Sequence, residues 1–561
     1  MKIKKILVAN RGEIAIRVFR ACSELGIKTV GIYTFEDRYS QHRYKADEAY
    51  PVGRDDEALK PYLNIDEIIS IAKKKQVDAI HPGYGFLSEN AAFARACAEN
   101  GIIFIGPSPE VMEKLGNKIS AKKVAHANNI PIIESSNKEL KEIKTAMEEA
   151  KRIGYPLMLK ATAGGGGRGM RVVLTKDDLE RVFDEARREA KNAFGDDTVF
   201  LEKYVENPKH IEVQIVADNY GHIVHLFERD CSVQRRYQKV VEVAPSFGLP
   251  EEVKKKLHNY AVKICKAVNY NNVGTVEFLI TPPPPEGGSM GNAAPRISPS
   301  EGGGAWSIYF IEVNPRIQVE HTVTEMVTNI DLVKTQIFVA GGYKLSDTQI
   351  KMPSQDVIKI NGYAIQCRVT TEDPENDFKP DYGTVITYRS PGGFGIRLDA
   401  GSVYQGAVIS PFFDSMLVKI SAQSRTLDGA CRKMHRALEE FRIRGVKTNI
   451  PFLGNIINHK EFHDGKATVS FIEKHKELFV FRKRMDRATR IVKFLGDTIV
   501  NGHPDVRLAD KNKKFVKPVV PDFDRNADYP EGTKDMLAKL GPDKFCEWLK
   551  KDKKIHYTDT T

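Results

Sequence analysis

From Glu312 the chain reads Glu-Val-Asn-Pro-Arg-Ile-Gln-Val-Glu320, so that Glu312, Asn314, Arg316, Gln318 and Glu320 alternate with Val313, Pro315, Ile317 and Val319. In an extended chain this alternation puts the five polar groups on one face and the apolar residues on the other. A solvated strand face also alternates, but usually with Thr, Lys or Ser. Glu312 and Asn314 are hard oxygen donors suited to Mg²⁺ or Mn²⁺. Arg316 is a fixed cation for an anion, and Glu320 is a carboxylate able to take a proton. Pro315 has no N–H to give to a ladder, so the segment must be a sheet edge or leave the sheet. Glu277, in Gly274-Thr-Val-Glu-Phe-Leu279, offers a further carboxylate. Two carboxylates and an amide that bridge ATP phosphates through a metal are what phosphoryl transfer calls for.

A second stretch, Lys160-Ala-Thr-Ala-Gly-Gly-Gly-Gly-Arg-Gly-Met170, follows the apolar run Tyr155–Leu159. Its glycines, Gly166 and Gly167 among them, expose backbone N–H groups that can close over phosphates. No Gly-Lys-Ser/Thr follows, so it is not a Walker A loop. A glycine run is often only a linker. Its place between two strand-like runs, with Lys160 at its entrance and Arg168 inside, favours a nucleotide lid. A third stretch, Phe227-Glu-Arg-Asp-Cys-Ser-Val-Gln-Arg-Arg-Tyr-Gln-Lys239, gathers charges around Gln234 and Tyr237. Alone it reads equally well as a solvated loop. Lys118, Glu202, Lys203 and His210 are weak signals singly.

The elements that must carry these groups follow from periodicity. Residues 4–9 are a short apolar run, and Ile14, Val18, Ala21 and Leu25 mark one face of a helix ended by Gly26. Ile27–Tyr33 is the next strand, which makes a βαβ unit and implies a parallel sheet. A second unit runs through Val77–Ile80, a helix from near Ser88, and Ile102–Ile105. The GxGxxG fingerprint is missing from the first turn, which argues against a dinucleotide site there. From Lys118 the pattern becomes a helix and then mixed α+β to about residue 335, with a further α+β block over about 345–450. Pro391-Gly-Gly-Phe-Gly395 is a turn between strands. Met485, Ala488, Val492 and Leu495 mark a late helical stripe. Thr281-Pro-Pro-Pro-Pro through Gly302-Gly-Gly-Ala305 is of low complexity and reads as a disordered hairpin insertion.

The whole chain has 561 residues, which suggests three or four domains. With 41% hydrophobic and 28% charged residues it is an ordinary globular composition. No apolar run approaches a membrane span, and the basic, briefly apolar N-terminus reads as a first strand rather than a signal peptide. Lys and Arg total 85 against 74 Asp and Glu, a net +11. No basic-aromatic recognition module accompanies this excess, so it is assigned to Lys/Arg-rich stretches near the C-terminus and to an anionic substrate. Neither nucleic acid nor a membrane is an expected partner. Seven cysteines without a CxxC pair point to a reducing, cytoplasmic compartment and away from zinc.

Taken in order, Ile6–Arg17, His81-Pro-Gly-Tyr-Gly-Phe-Leu-Ser-Glu-Asn90, the glycine loop, Glu228–Lys239, Glu312–His321 and Phe413-Asp-Ser-Met416 make residues 1–455 resemble biotin carboxylase, the ATP-grasp component of biotin-dependent carboxylases. Beyond 455, Asp486-Arg-Ala-Thr489 and Val500-Asn-Gly-His-Pro504 resemble the segment that follows this domain in pyruvate carboxylases. The resemblance implies an α/β and α+β multidomain fold. Its parts are an N-terminal parallel-sheet domain over 1–117 and an ATP-grasp domain with a mobile lid over 118–340, the insertion occupying 281–306. A C-terminal biotin carboxylase domain over 341–455 and a helical linker over 456–505 follow. Residues 506–561 are expected to be a Pro/Lys-rich linker and the truncated start of a carboxyltransferase domain.

The resemblance also assigns roles. Lys118, Lys160 and His210 match ATP contacts, with Gly166 and Gly167 in the lid, and Glu202, Lys203, Tyr204 and Val205 match the segment that holds adenine. Gln234 and Tyr237 belong to the nucleotide side, Tyr237 standing where the family has His. Glu277, Glu312 and Asn314 match the ligands of Mg²⁺ or Mn²⁺. Lys239, Arg316, Gln318 and Val319 match the bicarbonate pocket, Glu320 the base that deprotonates bicarbonate, and Arg368 the residue that steadies the biotin enolate. The implied activity is ATP-dependent carboxylation of biotin through carboxyphosphate. No Met-Lys-Met motif is present (Ile350-Lys-Met-Pro353 is the nearest string), so biotin is expected from a carrier domain or partner. The resemblance implies a homo-oligomer, a dimer of biotin carboxylase domains or a tetramer. Rival readings are another ATP-grasp ligase, the biotin carboxylase component of an acyl-CoA carboxylase, and a non-catalytic assembly partner.

Overall fold

Short apolar runs alternating with amphipathic helices give the first hundred residues a parallel sheet. Strands β1 (Lys5–Val8), β2 (Lys28–Tyr33), β3 (Glu48–Pro51), β4 (Ala79–His81) and β5 (Ile103–Phe104) lie in the order β3-β2-β1-β4-β5, all parallel. The computed structural model describes residues 3–136, 138–162, 170–282, 306–401, 403–481, 487–503, 539–541 and 544. The expected stripe is realised in the helix Gly12–Glu24, where Ile14, Val18 and Ala21 are buried. The helix expected from near Ser88 spans Ala91–Glu99, delayed until Asn90 can cap it by accepting from the Phe93 N–H at 2.9 Å. Strand order reverses between β1 and β4, and such a switch opens a crevice at the carboxyl ends of the strands. There Asn10 donates to the carbonyls of Pro82 (2.7 Å) and Tyr84 (2.8 Å). Gly83 is required between them, because its φ of +66° is left-handed and a Cβ there would lie 2.8 Å from Asn10 Nδ2.

The largest described sheet is antiparallel and has eight strands. Its strands are β9 (Lys209–Ala217), β10 (Ile223–Arg235), β11 (Gln238–Ala244), β12 (Asn272–Thr281), β13 (Ser307–Asn314), β14 (Tyr363–Thr370), β15 (Ile396–Ala400) and β16 (Met416–Ser424). They run in the order β13-β12-β9-β10-β11-β14-β16-β15. One sheet therefore serves both the expected ATP-grasp and C-terminal domains, joined through the pairing of β11 with β14. A smaller sheet, β6 (Leu157–Ala161), β7 (Arg171–Val173) and β8 (Val199–Lys203), has the order β7-β6-β8 and packs on the helices Ile143–Ile153 and Lys176–Phe194. Its β6 and β7 flank the glycine loop, and Gly166 and Gly167 lie outside the described residues.

The structure differs from expectation at two places. The alternation 312–320 is not one extended run. β13 stops at Asn314, Pro315 to Val319 leave the sheet, and the helix His321–Thr328 begins after Glu320. β13 is an edge strand, as Pro315 requires. The boundary at 455 also falls inside a core: Ile456, Ile457, Phe462, Phe471, Ile472 and Leu478 are buried with Val418, Ile420 and Met434. Residues up to 481 thus pack with the C-terminal domain, because this stretch is as apolar on its inner face as the helices before it. The insertion expected at 281–306 joins two strands in register, Thr281 opposite Ser307, and residues 283–305 lie outside the described ones. The expected linker and carboxyltransferase start beyond 503 fall almost wholly outside them too.

Residues 482–561 form a separate unit. Its described helix, Arg487–Asn501, includes Val492 and Leu495 of the expected stripe and exposes Ile491, Val492, Phe494, Leu495, Ile499 and Val500, while Met485 lies outside the described residues. Six cysteines among the described residues are buried and unpaired. No described helix is long and apolar enough to cross a membrane.

Candidate active site

Two β-bulges and a helix start converge the chemistry. Glu212 on β9, Glu277 on β12 and Glu312 on β13 are register partners, so three carboxylates stand side by side across the sheet. In β13 the register advances by an extra residue at Ile311, between the Glu277–Glu312 and Phe278–Phe310 pairs, next to the acidic row. In β11 an extra residue at Val240 lets Lys239 and Glu242 share a face they could not share in a regular strand. Lys239 Nζ is the hub: it lies 2.6 Å from Glu212, 2.9 Å from Glu277 and 2.7 Å from Glu320. Burial alone would push its pKa down, but the three carboxylates hold it well above the ordinary lysine range.

Glu320 is nearly fully buried and accepts from Lys239 and, at 3.1 Å, from Arg368 Nη2. Burial would raise its pKa, and Lys239, Arg368 and Arg229 outweigh that and hold it far below the usual carboxylate range. It is therefore ionised and able to take a proton only from a group that displaces or shares these cations. Glu277 is held low in the same way, burial being outweighed by Lys239 and His210. Gln234 Nε2 donates to His210 Nδ1 at 2.6 Å, which leaves His210 Nε2 to donate to Glu277 at 2.8 Å. Gln318 Nε2 and Asn314 Nδ2 each reach Glu277 at 2.9 Å. Arg316 contacts Glu89 at 3.0 Å and Asn314 Oδ1 at 3.1 Å.

The opposite wall belongs to β6, β8 and the helix Lys118–Ala127. Lys118 Nζ is 3.2 Å from Glu312. The Glu202 carboxylate is buried between the ammonium groups of Lys122 and Lys160. Burial favours its neutral form, yet the two lysines bring its pKa down to about 2. Lys203 turns its ammonium to the carbonyls of Gly154 and Tyr155, both at 2.9 Å. Arg236 and Tyr237 form the tight β10–β11 turn with positive φ at both positions. Burial beside Tyr204 and Glu473 pushes the Tyr237 hydroxyl pKa up to about 12.

All the expected site residues among the described ones border a single cleft of about 1360 Å³. Lys118, Lys160, Glu202 to Val205, His210, Gln234 and Tyr237 line it toward β8. Lys239, Glu277, Glu312, Asn314, Arg316, Gln318, Val319, Glu320 and Arg368 line it toward β12–β14. Glu277 and Glu312 stand at paired positions, and Asn314, whose Oδ1 accepts from Arg316, offers an amide oxygen beside them; this all-oxygen donor set fits a hard divalent cation. Sequence reading missed the supporting layer. Arg229, fully buried, is held by Glu212, Gln214, Thr275, Gln318 and Thr324. Lys419 binds Glu13 (2.8 Å) and the Val319 carbonyl (2.9 Å), and Tyr84 donates to Glu13 at 2.9 Å. The only local signal was charged residues alternating inside apolar strands, as in His210-Ile-Glu212-Val-Gln214.

Family models match three successive stretches. They are "Biotin carboxylase, N-terminal domain" over residues 2–112, "Carbamoyl-phosphate synthase L chain, ATP binding domain" over 117–288 and 304–348, and "Biotin carboxylase C-terminal domain" over 366–474. The biotin carboxylase domain of Hydrogenobacter thermophilus 2-oxoglutarate carboxylase is 45% identical, with a TM-score of 0.79 over 86% of this chain and 100% of that one. The chain belongs to the biotin carboxylase family. That Hydrogenobacter domain was solved as a dimer with MgADP, ADP and bicarbonate. Among longer biotin carboxylase relatives, the pyruvate carboxylase of Bacillus subtilis is 50% identical over 559 residues, 100% of this chain and 47% of that protein. Rhizobium etli pyruvate carboxylase, solved with acetyl coenzyme A, is 50% identical, with a TM-score of 0.80 over 98% of this chain and 47% of that one. The chain thus spans about half the length of the curated relatives it matches.

Proposed function

We propose that this chain catalyses the ATP- and bicarbonate-dependent carboxylation of biotin through carboxyphosphate, the first half-reaction of pyruvate carboxylase. The observation that carries this is one buried carboxylate, Glu320, bonded to both Lys239 and Arg368 in the cleft that also holds Lys118 and Lys160. A base, an anion pocket and a phosphate-binding wall therefore face one space.

Bicarbonate enters between Lys239, Arg316, Gln318 and Val319 and takes over part of the positive charge now spent on Glu320. Glu320 then takes its proton, and a bicarbonate oxygen attacks the γ-phosphorus of ATP as the bond to ADP breaks. Lys118 and Lys160 hold the phosphates, and residues 202–205 flank the adenine. Glu277, Glu312 and Asn314 would hold Mg²⁺ or Mn²⁺, which neutralises phosphate charge when bound. Carboxyphosphate splits to CO₂ and phosphate beside biotin. The phosphate takes the ureido N–H proton, Arg368 steadies the enolate, and nitrogen attacks CO₂. Lys239 and Arg316 favour these steps because fixed charge in a dry site is worth more than in water. The glycine loop is read as the lid that excludes water, which would hydrolyse carboxyphosphate.

Biotin is read as arriving on a carrier domain, and the acceptor as pyruvate, from the likeness to pyruvate carboxylases over the whole chain. A homodimer of biotin carboxylase domains is the proposed assembly, and buried unpaired cysteines suit a cytoplasmic setting. The test is ADP release with bicarbonate, with and without free biotin. Bicarbonate-dependent ADP release stimulated by biotin is expected. Release indifferent to bicarbonate points to another ATP-grasp ligase, and no ADP release at all to a non-catalytic role.

A further inference from the structure

Glu242 sits on β11 behind the cleft wall, fully buried. Its carboxylate accepts from Arg368 Nε at 2.6 Å, lies 2.5 Å from Arg368 Nη2 and accepts from Gln366 Nε2 at 2.9 Å. Gln366 is its register partner on β14 and lies on the same face as Arg368. The Gln366 amide oxygen in turn accepts from Thr322, on the first turn of the helix that follows Glu320. Arg368 therefore stands between two carboxylates, and charges alternate along the row Glu242, Arg368, Glu320, Lys239. Among the described residues, Nη1 is the guanidinium nitrogen left without a hydrogen-bond partner.

The chemistry of this row gives Glu242 a task. An arginine facing a single carboxylate closes on it with two parallel N–H bonds. With Glu242 holding Nε and one edge of the guanidinium, Arg368 reaches Glu320 through Nη2 alone. Glu320 keeps lone pairs for a proton, and Nη1 stays free for an oxygen of the incoming acceptor.

We propose that Glu242 is a positioning residue for the biotin half of the reaction, holding the Arg368 guanidinium off Glu320 and turned toward the biotin carbonyl. This rests on the functional reading above. Glu242→Gln keeps the side-chain shape and one oxygen acceptor but loses the charge that anchors Nε. Misplacement of a reacting group by about 1 Å costs about 10²-fold, so biotin stimulation of ADP release is expected to fall by roughly that factor. Biotin-independent, bicarbonate-dependent ADP release is expected to fall by no more than about tenfold, because Glu320 keeps its bond to Lys239 when Arg368 shifts, and the ATP concentration for half-saturation is expected to stay within about threefold. Glu242→Asp restores the charge on a side chain one methylene shorter and is expected to recover part of the stimulation, at a raised half-saturating biotin concentration.

A merely structural role predicts that both activities fall together with the thermal midpoint, and that result overturns the proposal. So does unchanged biotin stimulation in Glu242→Gln, or a Glu242→Asp protein no better than Glu242→Gln. Should Glu242→Gln fail to fold, the half-saturating biotin concentration of Glu242→Asp decides: a rise with unchanged ATP affinity supports the assignment, and no rise overturns it. Absence of biotin stimulation in the wild-type chain would instead refute the functional reading itself.

Discussion

Replacing Lys239 by Met removes the one cation that touches Glu212, Glu277 and Glu320 together. Stripping one partner from a buried charge cluster costs about 3–5 kcal/mol. Here the lower end applies, because each carboxylate keeps another donor: Arg229 for Glu212, His210 for Glu277 and Arg368 for Glu320. Unfolding entropy is about 2.1 cal/mol/K per residue. If Met1–Phe481 melts as one unit, about 3 kcal/mol becomes a fall in midpoint of about 3 °C. The pH dependence has a definite sign. In the wild type Glu277 and Glu320 have depressed folded pKa values. Their contribution is present above the ordinary glutamate range and is lost as pH falls below it. Without Lys239 the clustered carboxylates repel and their folded pKa values rise, so acidification relieves the variant first. The assay is scanning calorimetry of both metal-free proteins at pH 8 and pH 5.5, where the gap is expected to be widest at pH 8 and narrower at pH 5.5. Adding Glu320→Gln to the variant should recover part of the loss. An unchanged midpoint at pH 8, or a gap that widens on acidification, would refute the hub role of Lys239.

Glu320→Gln keeps the shape and loses the base, so biotin-stimulated turnover should fall about 10²–10⁴-fold with ATP affinity retained; wild-type turnover would exclude Glu320 as the base. Glu312→Ala should weaken MgATP while metal-free ATP binds as well or better, because Lys118 is released from its 3.2 Å contact; Lys160→Met should weaken both forms, and calorimetric titration separates the two patterns. Glu202, with its pKa drawn from 4.5 to about 2 by Lys122 and Lys160, stabilises the fold above pH 4.5 and loses that contribution as pH falls toward 2. The melting difference between wild type and Glu202→Gln should therefore be largest above pH 4.5 and vanish near pH 2; a constant difference would show that the paired charges are not its source.

Much of this protein is written locally. The alternating run from Glu312, the glycine loop between apolar strands and the helix stripe over Ile14, Val18 and Ala21 depend only on residue type and spacing, and periods of two and about 3.6 residues are properties of a chain by itself. What the tertiary structure decided is where those faces meet. No local pattern says that Glu212, Glu277 and Glu312 are abreast, because register is set by pairing between strands far apart in sequence. The extra residue at Val240, which turns Lys239 and Glu242 to one face, is equally invisible, since a bulge is a mismatch between two strands and not a feature of one. The run to Glu320 read as a single strand because its alternation continues past Pro315, yet the chain leaves the sheet there and Glu320 reaches the site from the start of a helix. Residues 456–481 read as linker because the resemblance placed the end of the C-terminal domain at 455, and they are core because the β14–β16 layer offers their apolar positions a face to cover. Local sequence names the groups that can react. Pairing and packing between distant segments choose their neighbours, and the neighbours set the charge each group carries.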